Sequence, residues 1–196
     1  IKKMEVKVMK NVLAMNDEAA AGNAALFQRK GIFVLNLMGS PGAGKTTLLE
    51  RTLEALKDEM RLAVIEGDLF TTKDAARIER CGAPVVQINT SGGCHLDAPM
   101  VKSALSSIDL DSLDMLIIEN VGNLVCPAEF ELGQDKKAVV LSITEGDDKP
   151  LKYPLMFKEA DAALLNKVDL LPYTDFDLES ATDDIRTLHP FIEVMA

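Results

Sequence analysis

The chain has 196 residues, 47% hydrophobic and 27% charged, values that suit one globular domain with a full core. Twenty-one basic residues against 31 acidic ones leave a net charge of −10, which argues against nucleic acid or an anionic membrane as partner, since either needs a basic face. No apolar run approaches the ~20 residues of a spanning helix, and three cysteines without regular spacing make no disulfide framework.

In chain order, Met9–Phe27 is helix-like and its Met9–Ala25 part is Ala-rich, a leading helical segment within residues 1–30. It could simply pack on the sheet. Strands follow at Phe33–Met38, Leu62–Glu66, Pro84–Asn89, Met115–Glu119, Ala138–Ile143, Ala162–Asn166 and Ile192–Met195. Helices are expected at Lys45–Lys57, Thr71–Arg80, Ala98–Ser107, Leu151–Glu159 and Leu178–Leu188. Near-continuous Val/Ile/Leu runs mark strands buried on both faces. The expected class is therefore α/β, a three-layer P-loop NTPase fold with a mostly parallel central sheet and helices on both faces. Residues 1–196 are expected to form a single G domain.

The first strand runs into Gly39-Ser-Pro-Gly-Ala-Gly-Lys-Thr-Thr47, which fits G-x-x-x-x-G-K-[ST] between a strand and a helix. Gly39, Gly42, Ala43, Gly44 and Thr47 would turn backbone N–H groups toward phosphate, and the helix N-terminus adds positive potential. Lys45 would reach the β- and γ-phosphates, and the Thr46 hydroxyl would sit on Mg²⁺. A later strand ends in Asn166-Lys167-Val168-Asp169. Asp169 can accept two hydrogen bonds from the N1–H and N2–H₂ edge of guanine, a pair that adenine lacks, so GTP is expected over ATP. Asn166 and Lys167 would brace that pocket.

Acids stand at the carboxyl ends of other strands, the edge where open α/β sheets bind ligands. Leu62–Asp68 ends in Glu66-Gly67-Asp68, and Met115–Gly122 ends in Glu119-Asn-Val-Gly122. Asp68 is the first choice for supporting Mg²⁺ or the attacking water, and Glu119 the second. The Gly122 amide could read the γ-phosphate in a switch. Each acid is also readable as an ordinary solvated loop carboxylate.

Two of the three cysteines and one of the two histidines fall on the same predicted edge: Cys94-His95 after Gly92-Gly93, and Cys126 four residues past Gly122. Thiolate and imidazole select Zn²⁺, Ni²⁺ or Cu over Mg²⁺. Three ligands leave a shell incomplete, to be finished by water or across a two-fold axis. The competing reading is two buried inert thiols and an unrelated histidine. Cys81 reads as a small apolar residue at a helix end, and His189 as structural.

With these segments in place, the chain resembles the HypB family, GTPases that help deliver nickel to [NiFe]-hydrogenase. The resemblance runs from about Met9 to the end, and the strings Ile88–Ala98 and Ile118–Pro127 carry it more specifically than the P-loop. It implies a Ni²⁺ or Zn²⁺ site at Cys94, His95 and Cys126, located at the interface of a homodimer closed by GTP. It also implies GTP/GDP and Mg²⁺ as cofactors. A HypA-type nickel chaperone is expected to bind through the N-terminal region, and the hydrogenase large subunit is the expected client. A slow intrinsic GTPase is expected because no arginine finger or catalytic glutamine is evident. A cytoplasmic location fits thiols reserved for metal.

Family members often carry an N-terminal C-x-x-C-G-C motif or a His-rich tract, and neither is in this sequence. Phe191–Ala196 resembles the strand before the last guanine-contacting loop, so a C-terminal continuation is expected. The urease accessory GTPases, which use Cys-Pro-His, are the near alternative, as is a P-loop small-molecule kinase or NTPase with structural cysteines.

Overall fold

The computed structural model describes residues 2–69 and 72–196, with side chains in the leading helix described from Leu13 onward. The helix α1 (Lys2–Lys30) precedes seven strands: β1 (Phe33–Gly39), β2 (Leu62–Asp68), β3 (Val85–Asn89), β4 (Met115–Glu119), β5 (Lys136–Ser142), β6 (Ala162–Asn166) and β7 (Glu193–Met195). The other helices are α2 (Lys45–Leu56), α3 (Lys73–Arg80), α4 (Ala98–Leu105), α5 (Cys126–Glu129), α6 (Lys149–Lys152), α7 (Pro154–Glu159) and α8 (Leu178–Leu188). The expected start of α3 at Thr71 lies outside the described residues. The strands form one sheet in the order β3-β2-β4-β1-β5-β6-β7, every pairing parallel. Among the described residues, no helix is long and apolar enough to cross a membrane.

Alternation along each strand sorts the core into layers. Val34, Ile65, Leu116 and Ile118 pack toward Phe27 of α1 and Val101 of α4. Val139, Leu141 and Leu165 continue that face toward Met156 and Phe157 of α7 and Ile185 of α8. Leu37, Val64, Ile117 and Val140 point the other way, onto Leu49 and Leu53 of α2 and Ile78 of α3. Each such fully buried aliphatic side chain contributes about 1.5–3 kcal/mol relative to exposure. The central strands have no polar face because helices cover both sides.

The described part of α1 is built into the domain. Asn16 and Asn23, seven residues apart on one helical face, are both buried. Asn16 donates to the Glu131 carbonyl at 2.9 Å and accepts from the Ala98 amide at 2.8 Å. Asn23 donates to the Ala98 and Leu132 carbonyls, each at 3.0 Å. This helix therefore caps α4 and the 131–133 loop.

Several expected boundaries shift for local reasons. The run Leu151–Glu159 is two short helices, because Pro154 forces Tyr153 out of helical geometry (φ −125°, ψ 57°). β5 stops at Ser142 rather than Ile143, where Ser142 and Glu145 form a capping box that opens a 3₁₀ turn. β1 and β2 each extend to the last residue before the ligand-facing loop, Gly39 and Asp68.

Candidate functional site

The loops after β1, β2 and β4 open at the carboxyl edge of the sheet onto a cleft of about 410 Å³. Gly42 (φ 77°) and Gly44 (φ 102°) take left-handed backbone that side chains resist. A Cβ on Gly44 would also lie 2.3 Å from Nδ2 of Asn166. Lys45 is buried, its Nζ donating to the carbonyls of Gly39 and Ser40, each at 3.2 Å. Burial lowers its pKa, and the nearby Glu119 carboxylate pulls it partly back. The ammonium is thus folded onto its own loop, over the concavity a phosphate would fill.

Thr46 donates from its hydroxyl to Oε1 of Glu119 at 2.8 Å. The structure thus joins Thr46 to Glu119 rather than to Asp68, which lines the same cleft at the end of β2. Glu66 and Glu119 are register partners on β2 and β4, both buried, and Oε2 of each has no hydrogen-bond partner. Burial, then the like charges of Glu119 and Asp68, push Glu66 up to about 8. Burial pushes Glu119 up to about 7 against the pull of Lys45 and the Thr46 hydrogen bond. Orphaned carboxylate oxygens beside a phosphate cradle suit a divalent cation such as Mg²⁺, which prefers hard oxygen ligands. The residues present fit that ion.

The residues expected to read guanine also brace the loop. Asn166 donates to the Ala43 carbonyl at 2.8 Å. Lys167 sits in the left-handed region (φ 64°), and its Nζ donates to the Gly42 carbonyl at 2.7 Å. Asp169 is exposed at the start of a 3₁₀ turn, Val168–Tyr173. Gly122 packs directly on the loop: a Cβ there would lie 2.8 Å from the Pro41 nitrogen.

Cys94, His95 and Cys126 converge, their ligand atoms all within 4.8 Å of one another. The two sulfurs are 2.9 Å apart, and Sγ of Cys94 lies 3.5 Å from Nδ1 of His95. His95 stacks on Phe130 with ring centroids 3.9 Å apart, which fixes the imidazole plane. Burial lowers the His95 pKa against the pull of Asp97 and Glu129, which favours the neutral imidazole that ligates metal. Hydrogen bonding to Cys94, then burial, raises the Cys126 thiol. A tetrahedral ion at ~2.3 Å from each sulfur would set them about 3.7 Å apart, so the pair must open slightly around an ion. The donor set and spacing otherwise fit a borderline metal such as Ni²⁺ or Zn²⁺.

Cys81 is separate from this cluster, its thiol near the Arg77 carbonyl at 3.5 Å. Residues with no strong sequence signal also line the region. Arg77 faces the cleft but is held by Glu50 (3.0 and 2.7 Å) and by Thr47 Oγ1 (2.9 Å). Asn120 and Asn123 connect the Glu119–Gly122 loop to the thiol loop. The pattern Glu119-Asn-Val-Gly-Asn123 held both asparagines in view, but only their contacts assign them roles.

The nucleotide-binding domain of the CobW/HypB/UreG family matches residues 33–196. Hydrogenase maturation factor HypB of Azotobacter vinelandii is 55% identical over 190 residues, covering 97% of this chain and 63% of that protein. The chain thus spans less than two-thirds of that relative's length. A probable HypB of Methanocaldococcus jannaschii is 43% identical over 188 residues, covering 96% of this chain and 85% of that protein. Among solved structures, HypB from Helicobacter pylori in complex with nickel superposes with a TM-score of 0.88 at 43% identity, covering 92% of this chain and 85% of that one. On this evidence of sequence, fold and site together, the chain belongs to the HypB family of hydrogenase maturation factors.

Proposed function

We propose that this chain, as a single G domain over residues 1–196, binds and hydrolyses GTP and carries nickel as cargo during [NiFe]-hydrogenase maturation. The observation that carries the reading is the closure of Cys94, His95 and Cys126 to within 4.8 Å beside a P-loop cleft. Solved HypB from Helicobacter pylori is in complex with nickel, which supports nickel as cargo here.

In this reading Lys45 leaves the Gly39 and Ser40 carbonyls for the stronger, charged acceptors of the β- and γ-phosphates. Backbone groups of Gly39, Gly42, Ala43, Gly44 and Thr47 form the cradle, with Gly122 beside the γ-phosphate. Mg²⁺, when bound, neutralises charge between the phosphates. Thr46 and Glu119 would hold it, and Asp68 would support it or orient the attacking water. Asp169 selects guanine. Arg77 is engaged by Glu50 and Thr47, so turnover of the isolated chain is slow. Loss of the γ-phosphate shifts Gly122 and, through the short Asn123–Val125 segment, Cys126.

A GTP-closed homodimer would supply the remaining metal ligand across its two-fold axis. A HypA-type chaperone contacting the N-terminal helix and the hydrogenase large subunit complete the pathway, in a reducing cytoplasm that keeps the thiols free. The test is titration of Ni²⁺ and Zn²⁺ with GDP and with a non-hydrolysable GTP analogue, following thiolate charge-transfer absorption and molecular mass together. Bands that change with nucleotide and a shift to dimer are expected. No thiolate band in either state would reduce the chain to a guanine-nucleotide switch with structural cysteines.

A further inference from the structure

Asn123 touches both ligand systems. Its backbone N–H donates to the Gly39 carbonyl at 2.9 Å, the same oxygen that receives Lys45 Nζ at 3.2 Å. Its side chain runs toward the thiols: Nδ2 donates to the Cys94 carbonyl at 3.3 Å, and Oδ1 accepts from the Val125 amide at 2.8 Å. Val125 is the N-cap of α5, whose first residue is Cys126. One residue thus holds the phosphate loop by its main chain and, by its side chain, the Cys94 carbonyl and the amide of the residue before Cys126. Asn120 makes a parallel tie in the core, its Oδ1 accepting from the amides of Leu96 and Val121, each at 3.0 Å.

We propose that Asn123 is a positioning residue that transmits nucleotide occupancy of the P-loop to the spacing of the Cys94 and Cys126 sulfurs, and so sets the nickel affinity. The inference rests on the metal-carrying reading above. Bound phosphate is the better acceptor for the Lys45 ammonium, because charge-assisted hydrogen bonds are roughly twice as strong as neutral ones. Withdrawal of Lys45 changes the load on the Gly39 oxygen, which Asn123 shares. The Asn123 peptide is antiparallel-bridged to Gly39, so it follows that oxygen. Its two side-chain ends then carry Cys94 and the start of α5 in step. The sulfurs, 2.9 Å apart, need only a small opening to accept an ion. The effect is reciprocal: nickel must alter nucleotide affinity by the same factor.

The experiment measures Ni²⁺ affinity by thiolate charge-transfer absorption, with a competing chelator, for nucleotide-free and Mg–GDP-loaded protein. Wild type is compared with Asn123→Asp and Asn123→Ser. Asp keeps the acceptor for Val125 N–H but turns an oxygen on the Cys94 carbonyl. Ser retains a short acceptor and cannot span to Cys94. The readout is the ratio of affinities between the two nucleotide states, in which a loss common to both cancels, as a general loosening of the loop would. Coupled sites typically show ratios of about 5- to 150-fold. Both variants are expected to shrink the ratio by roughly 2- to 13-fold, the span of one hydrogen bond. If Asp fails to fold by thermal melting, Ser decides. Variants that keep the wild-type ratio, or a wild-type ratio of one, overturn the proposal while leaving the metal site intact. A wild-type protein with no nickel–thiolate band, or with a band that Cys94→Ser leaves unchanged, overturns the metal-carrying reading itself and this inference with it.

Discussion

The buried carboxyl pair makes a specific demand on stability. Glu119 is held at about 7 and Glu66 at about 8, both above the ordinary 4.5. Between the ordinary and the raised values the folded chain therefore binds more protons than the unfolded one. The stability contributed by these two carboxyls is full below about pH 4.5, falls as pH rises, and levels off above about 8. Moving one carboxyl from 4.5 to about 7 corresponds to at most about 3 kcal/mol lost across that window. Glu66 adds to this, but the two like charges titrate as a pair, so the contributions are not independent. Urea unfolding of nucleotide-free, metal-free protein between about pH 5 and 8 should show a loss of about 1–3 kcal/mol or more. Glu119→Gln removes one ionisation and relieves Glu66 of its strongest like-charge neighbour, so its slope should be clearly shallower. A wild-type slope no steeper than that of Glu119→Gln over this window would refute the placement of two raised carboxyls under the cleft.

Other outcomes follow from individual contacts. Mg²⁺–GTP binding near neutral pH should release protons, because the cation favours the charged carboxylates; calorimetry in buffers of different ionisation enthalpy reads this directly. Gly44→Ala, which places a methyl 2.3 Å from Asn166 Nδ2 at a φ of 102°, should weaken GDP binding at least tenfold and cost about 1–3 kcal/mol in urea. Asn23→Ala strips a donor from two buried carbonyls and should cost about 2–4 kcal/mol, with the nickel–thiolate spectrum unchanged. Asp169→Asn should exchange preference for guanosine toward xanthosine nucleotides, because an amide can donate to the second xanthine oxygen, and competition binding would show it.

Local chemistry made much of this protein legible in one dimension. The glycines at 42 and 44 announce backbone that other residues resist, and Lys45-Thr46 follow at fixed offsets on the first helical turn. Runs such as Met115–Glu119 declare strands covered on both faces, and hence a parallel sheet with its ligand edge at the carboxyl ends. That edge placed Cys94, His95 and Cys126 together in outline. Pro154 was also visible, yet its effect was missed because apolar spacing runs straight through it.

What the tertiary structure decided is pairing. The order β3-β2-β4 brings the loops after β3 and β4 to one place although their cysteines lie 32 residues apart. Register sets Glu66 beside Glu119 beneath the cleft, where burial raises both carboxyls and the neighbouring charge pushes Glu66 further. Asn16, Asn23, Asn120 and Asn123 are short polar residues that sequence patterns assign to surface or turn. Their roles come from which carbonyls and amides the packed layers leave facing them, a property of the assembled fold that no local spacing encodes.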